Sequence, residues 1–209
     1  AVIRGGQIDM AGGPAIINSA LSWSDTDRSD ATWSNFLTGN SAYIRSHIIN
    51  GTDLVKTGRN SVILETANEL TGNLYVSEQG SLYARHDLSF GAGAIGREVQ
   101  VGGAGNLLLD YGTNVMGINV RATNSFDTTR VLLRGEGALR NSWGGDVVID
   151  GADGFGSASD AAYNVTARNN GTLTIYGNLY NANNQNLTDS DAYADPPVIT
   201  TSIGESYTL

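Results

Sequence analysis

The sequence predicts an all-β chain folded as a right-handed parallel β-helix, a β-solenoid in a single domain, on three observations. A strand–turn–strand unit built around Gly-X-Leu recurs four times, with its glycines at Gly80, Gly105, Gly137 and Gly171. Glycine is abundant, 27 of 209 residues against a usual share of about 7%, while proline is nearly absent at three. Short alternating stretches rich in Val, Ile, Leu, Thr and Tyr dominate, and few segments keep apolar residues at helical spacing. Abundant glycine without proline suits many tight turns between paired strands.

The four units read Leu74–Ala84, Val99–Leu109, Val131–Leu139 and Tyr163–Ile175. Their glycines step by 25, 32 and 34 residues, inside the roughly 20–50 residue period of stacked repeats. Unequal steps imply loops of variable length on one side. One unit cannot bury its own apolar face, so stacking must place like on like along an inner ladder. Val76, Val101, Leu133 and Val165 are therefore expected to point inward, as are Leu82, Leu107, Leu139 and Leu173. The glycine suits a corner that needs positive φ or close backbone approach, and neighbouring strands would pair in parallel about 4.8 Å apart. An antiparallel β-sandwich or jelly roll is the rival architecture. Asn50-Gly51, Asp150-Gly151, Asp153-Gly154 and Asn170-Gly171 are the two-residue hairpin signals that would favour it.

The chain divides into three parts. Residues 1–40 are less repetitive and hold two of the three tryptophans, Trp23 and Trp33, with Phe36 and an acidic turn from Ser24 to Asp30. They read as an atypical first coil, or as an N-terminal cap whose large side chains plug an open core end. Residues 41–180 carry the repeated coils. Residues 181–209 are an Asn/Asp-rich loop through Pro196-Pro197 followed by a terminal strand from Val198, which would leave its end open to a neighbouring domain or subunit.

Composition excludes whole classes of function. The net charge is −9, from 21 acidic and 12 basic residues, with the arginines scattered singly. An acidic surface repels phosphates, which argues against nucleic acid. Apolar runs such as Leu107-Leu108-Leu109 are far shorter than the roughly 20 residues of a membrane helix, so direct membrane insertion is not expected. The chain opens with no charged region followed by an apolar stretch, so a secretory leader is expected to have been removed already or to lie outside this sequence. There is no cysteine, which removes disulfides, thiol nucleophiles and zinc ribbons, and suits a chain that crosses a periplasm unfolded.

The search for chemistry returns no catalytic, cofactor-binding or metal site, and no cofactor is expected. His47 and His86 are the only histidines, without metal-ligand spacing. Gly80-Ser81 and Gly156-Ser157 lack the second glycine of a nucleophile elbow. Gly102-Gly103-Ala104-Gly105-Asn106 precedes a strand, not the helix that phosphate binding needs. Two acidic clusters, Asp25, Asp27, Asp30 and Asp189, Asp191, Asp195, resemble the start of a calcium loop but lack its glycine and bidentate glutamate. They read as solvated carboxylates, with calcium left open. If the chain cleaved glycans, Arg134 with Glu136, or Arg85-His86-Asp87, could serve on an outer face. A salt-bridged solvent face is the plainer reading, and the chain is expected not to be an enzyme.

One segment resembles a known family. From Leu54 to Leu82 the chain is similar to the autotransporter-associated β-strand repeat, matching at Leu54, Lys56, Gly58, Leu64, Asn68 and Gly72, then Val76, Gly80 and Leu82. It departs at Asn60 and Thr66, where the family has glycine, at Val62 for leucine, at Leu70 for an aromatic, and by one extra residue between Val76 and Gly80. A looser likeness extends to near residue 176. The resemblance implies a β-helical passenger segment of a bacterial surface protein, extracellular, whose translocator barrel would lie outside this chain. Its expected role is display, adhesion or self-association, with a cell-surface or host glycan or protein, or neighbouring copies of itself, as partner. Two alternatives stand beside it: a glycan-binding or glycan-cleaving β-helix of the phage-tailspike type, and a subunit of an extracellular filament or coat.

Overall fold

The computed structural model describes residues 1–19, 41–77, 80–102, 105–122, 130–136, 139–149, 163–167, 172–177, 179–180 and 198–200. Among these residues the protein is all-β, with no helix.

The chain runs through the same faces in the same order, round after round. The first round is β1 (Val2–Ile3), β2 (Gln7–Asp9) and β3 (Ala15–Asn18); the second is β4 (Ala42–Ile44), β5 (His47–Ile49) and β6 (Leu54–Thr57). The third holds β7 (Val62–Leu64) and β8 (Leu74–Val76), with Leu70 bridged to Gly51 between them, and the fourth holds β9 (Ser81–Ala84) and β10 (Glu98–Val101). Three fuller rounds follow: β11 (Asn106–Leu109), β12 (Asn114–Val115) and β13 (Asn119–Ala122); β14 (Arg130–Gly135), β15 (Arg140–Trp143) and β16 (Val147–Ile149); β17 (Tyr163–Ala167), β18 (Thr172–Ile175) and β19 (Leu179–Tyr180). Last is β20 (Val198–Thr200).

The opening strands of all seven rounds form one sheet and the closing strands another; β2 pairs with β5, and β12, β15, β18 and β20 form a further sheet. Every pairing among the described strands is parallel except β18 with β20. Antiparallel hairpins would give the opposite pattern. Asn50-Gly51 makes no hairpin: Asn50, at φ 53°, turns β5 toward β6. The other three hairpin signals lie outside the described residues.

Alternation within each short strand sets the core. Leu54, Leu74, Val99, Val120 and Val147 stack in register across five closing strands, all fully buried. Val62, Leu82 and Leu107 do the same across the opening strands. Each such side chain contributes about 1.5–3 kcal/mol through burial. Ile48, Leu70, Val115, Trp143 and Ile175 fill the core from the third side.

Of the Gly-X-Leu glycines, Gly80 and Gly105 are there for close approach. A Cβ on Gly80 would fall 1.5 Å from the Lys56 ammonium and 2.4 Å from the Gly58 carbonyl, and one on Gly105 would fall 2.8 Å from the Val76 carbonyl. Lys56 itself faces inward, fully buried in register with Val76, its Nζ donating to the Gly58 carbonyl.

Val76, Val101, Leu133, Leu82, Leu107 and Leu173 are buried as expected. Val165 pairs with Leu133 through the backbone, and its side chain lies outside the described set. Leu139 is a correction: it is 53% exposed. β14 pairs with β11, Leu108 opposite Arg134 and Leu109 opposite Gly135, so Leu133 follows Leu107 and the third Gly-X-Leu is out of phase. The place after Leu107 thus goes to Leu133, and the inward place opposite Leu173 goes to buried Asn141, whose Oδ1 accepts the Thr113 N–H at 3.0 Å and whose Nδ2 donates to the Glu136 carbonyl at 3.1 Å.

Polar side chains stitch the corners. The residues at the entry to the closing strands are Asp53, Asn73 and Asp146, each just before its strand, and Glu98 and Asn119, the first of theirs. Asp53 accepts the Asn73 N–H at 2.7 Å, Asn73 the Glu98 N–H at 3.0 Å, and Asn119 the Asp146 N–H at 3.0 Å. Asn68 spans three rounds, accepting the Ile48 N–H at 2.9 Å and donating to the Ser89 carbonyl at 2.7 Å.

Of segment 1–40, residues 1–19 form β1, β2 and β3, parallel and in register with β4, β5 and β6. Trp23, Trp33 and Phe36, which carry the capping expectation, lie outside the described residues. Of segment 181–209 only β20 is described.

Candidate functional site

Among the described residues, the richest concentration of charged and aromatic side chains lies on the outward face of the opening sheet. One outward column reads Tyr43, Ile63, Tyr83, Leu108, Arg134, one residue per strand. The position just past each strand reads Arg45, Glu65, Arg85, Asp110, Glu136, and each backbone N–H there donates to the preceding round. Charges alternate in sign from Arg45 to Asp110, one strand spacing of about 4.8 Å apart, and Glu136 then places a second carboxylate next to Asp110.

They form a connected network. Arg85 donates to Glu65 at 2.9 Å, and to Asp110 at 3.1 Å through Nε and 3.0 Å through Nη2. Arg45 also pairs with Glu65, and Arg134 pairs with Glu136. The Arg85 guanidinium lies between two rings, 5.8 Å from the Tyr43 centroid and 4.6 Å from that of Tyr111. Ile63, Tyr83 and Leu108 form a small buried cluster of their own beneath, with Tyr43 against it.

Burial and charge tune these groups. Burial pushes the Tyr83 phenol up to about 12, and the Glu136 carboxylate adds to the rise. Burial also acts to raise Glu65, but hydrogen bonds from Arg45 and Arg85 and their charges outweigh it and hold the carboxyl below its usual range. For Arg85 burial works against the charged form, while the Glu65 hydrogen bond and the Asp110 charge win and raise it. These are held charges: most of the groups are buried or half-buried, and Arg45 and Tyr111 are the ones exposed.

The structure brings Arg85, Arg134 and Glu136 onto this one face. It does not bring His86 and Asp87 there. His86 Nδ1 accepts the Leu88 N–H at 3.0 Å, and Asp87 accepts the Asn114 N–H at 2.7 Å, both within the corner that follows β9. His47 on β5 lies 3.9 Å from Glu69, on another side. Gly102 and Gly105 turn the chain from β10 into β11, where the Gly105 N–H donates to the Gly102 carbonyl. Ser81 opens β9. Asp25, Asp27, Asp30, Asp189, Asp191, Asp195 and Ser157 lie outside the described residues. Among the described residues, no three His, Asp or Glu gather as metal ligands.

Sequence reasoning missed Tyr43, Arg45, Glu65, Tyr83, Asp110 and Tyr111. A signal existed for one of them. Asp110 stands five residues after Gly105, as Arg85 stands five after Gly80, so aligning those units already opposes their charges.

Arg97 is a different kind of cation. It is buried, and donates to the carbonyls of Gly72 and Phe90, each at 2.8 Å, and to that of Ala92. Burial lowers its affinity for the proton, with Asp53 acting against the drop. It ties down the loop between β9 and β10.

No family model matches the chain, and neither a curated protein nor a solved structure matches it.

Proposed function

We propose that the chain is a right-handed parallel β-helix serving as a non-catalytic, extracellular segment of a bacterial surface protein of the autotransporter-passenger type, where it displays a contact face for adhesion or self-association. The observation that carries this reading is the repeated order of parallel strands, seven rounds deep, with side chains in register on the inside and the outside. Parallel connections of this kind are right-handed in nearly all proteins. Such a body has long flat sides, and a long flat side with fixed polar groups is suited to contact rather than to enclosing a substrate. The likeness of Leu54–Leu82 to the autotransporter-associated repeat supports the surface setting. The test is to fuse the chain ahead of an autotransporter translocator barrel. Intact cells should then carry it outside, as a core that resists added protease. A chain retained and degraded in the periplasm would count against the reading.

Glycan cleavage is a second reading, favoured by one observation. Asp110 and Glu136 occupy successive places in one column, where the Glu136 N–H donates to the Leu109 carbonyl at 2.7 Å, and both charges bear on buried Tyr83. Two neighbouring carboxylates are the minimum equipment of a glycosidase. Both are engaged by arginines, which favours a binding role. Release of reducing ends from a polysaccharide panel, lost in Glu136→Gln, would establish cleavage.

A further inference from the structure

Tyr111 stands out on this face. It follows β11 in a tight turn with φ of 61°, and Gly112 after it has φ of 74°. A bulky residue in the left-handed region is strained, and asparagine or glycine is the ordinary occupant. The turn is held by the Asp110 carboxylate, which accepts the Tyr111 N–H at 2.8 Å. Yet the ring gains little burial from this: Tyr111 is 64% exposed. One of its faces covers the Arg85 guanidinium at 4.6 Å. Leu139, itself half-exposed, lies against the same turn, its Cβ 3.5 Å from where a Cβ on Gly112 would be. Arg140, next in the chain, is exposed.

We propose that Tyr111 is a stacking platform for a pyranose ring, so that the face binds a neutral glycan. Strain kept at an exposed aromatic points to a use for the ring in that position. The Arg85 charge beneath is already answered by Glu65 and Asp110. One exposed cation, Arg140, stands beside the turn, but a chain of net charge −9 repels a polyanion. What the platform does offer is a flat apolar surface, extended by Leu139, beside fixed hydrogen-bonding groups. That combination matches the apolar C–H face and equatorial hydroxyls of a hexose. The proposal deepens the contact role above and rests on that reading only for its setting. Purified chain tests it, so it can fail while surface display stands, or the reverse.

The experiment is saturation-transfer difference NMR of the whole chain with cello-, malto- and chito-oligosaccharides, and with polygalacturonate oligomers as the charged comparison. At least one neutral oligomer should show transfer to its ring C–H protons. Tyr111→Phe should keep this binding, and Tyr111→Asn should weaken it about tenfold or more. Because asparagine tolerates the turn, Tyr111→Asn should also leave the thermal midpoint unchanged or raised. Three results would overturn the proposal: no transfer to any neutral oligomer, undiminished binding by Tyr111→Asn, or a lowered midpoint in that variant. The last would make the ring a structural cover for Arg85.

Discussion

Lys56 offers the sharpest test of how the core is built. Its side chain is fully buried among aliphatic neighbours, and its ammonium donates to the Gly58 carbonyl at the corner where Gly80 passes. Two substitutions separate its parts. Lys56→Ala removes three methylenes at about 0.8 kcal/mol each, leaves a cavity, and strips the carbonyl of a charged hydrogen bond worth about 1.5–3 kcal/mol. Together these predict a loss of about 4–5 kcal/mol, at the upper end for a core truncation. Lys56→Met keeps most of the volume and loses the ammonium alone, so about 1.5–3 kcal/mol should go. Urea unfolding followed by linear extrapolation reads both, with little change in slope. Wild type should be most stable, methionine intermediate, alanine least. If Lys56→Met equals or exceeds wild type, the ammonium costs more to desolvate than the corner returns, and the corner is not held by charge.

Two other perturbations probe the outer face and the corners. The Tyr83 phenol has a folded pKa of about 12, above its ordinary 10.0, so its stabilisation is full below pH 10.0 and lost as pH climbs through about 12. Alkaline absorbance titration should show one late tyrosine that vanishes in Tyr83→Phe; a difference centred near the ordinary value would refute the burial. Asn68→Asp turns the donor facing the Ser89 and Thr66 carbonyls into an acceptor. It should cost about 1–3 kcal/mol per carbonyl left without a donor near neutral pH, with part regained in acid as the carboxyl protonates. Equal urea midpoints for variant and wild type at both pH values would show that the corner does not need the amide.

The parallel all-β architecture was legible because Gly80 and Gly105 mark units of equal phase. The places of Val76, Leu82, Val101 and Leu107 then follow from alternation. The third unit misled because its first strand, β14, lies in the opening sheet beside β11, whereas the first strands of the two earlier units, β8 and β10, are closing strands; β17 shifts likewise, and the inward position after β14 belongs to an asparagine. A polar residue that satisfies a buried N–H looks, in sequence, like a loop residue, whereas Leu139 looks like core and lies at a corner. Lys56 was hidden for a related reason: lysine is rarely fully buried, and nothing in a single sequence reveals a carbonyl waiting for it. The charged column was hidden by distance. Arg45, Glu65, Arg85 and Asp110 are 20 to 25 residues apart in the chain, and only correct register turns that separation into contact.

The corner ladder of Asp53, Asn73 and Asn119 has a polarity. In each of its side-chain bonds the earlier round supplies the oxygen and the later round brings the N–H. The donors that follow the opening strands have the same sense: Arg45, Glu65, Arg85, Asp110 and Glu136 each reach back to a carbonyl of the round before. At these corners a finished round presents acceptors to the next, while elsewhere its own N–H groups, such as those of Leu54 and Val120, donate forward to the carbonyls of Asn73 and Asp146. Growth from the amino end therefore meets an oxygen already in place at each of these corners, in the order in which a polypeptide emerges from a ribosome. Each round added in that order closes on backbone groups of both kinds, and on these corner oxygens, left by the round before.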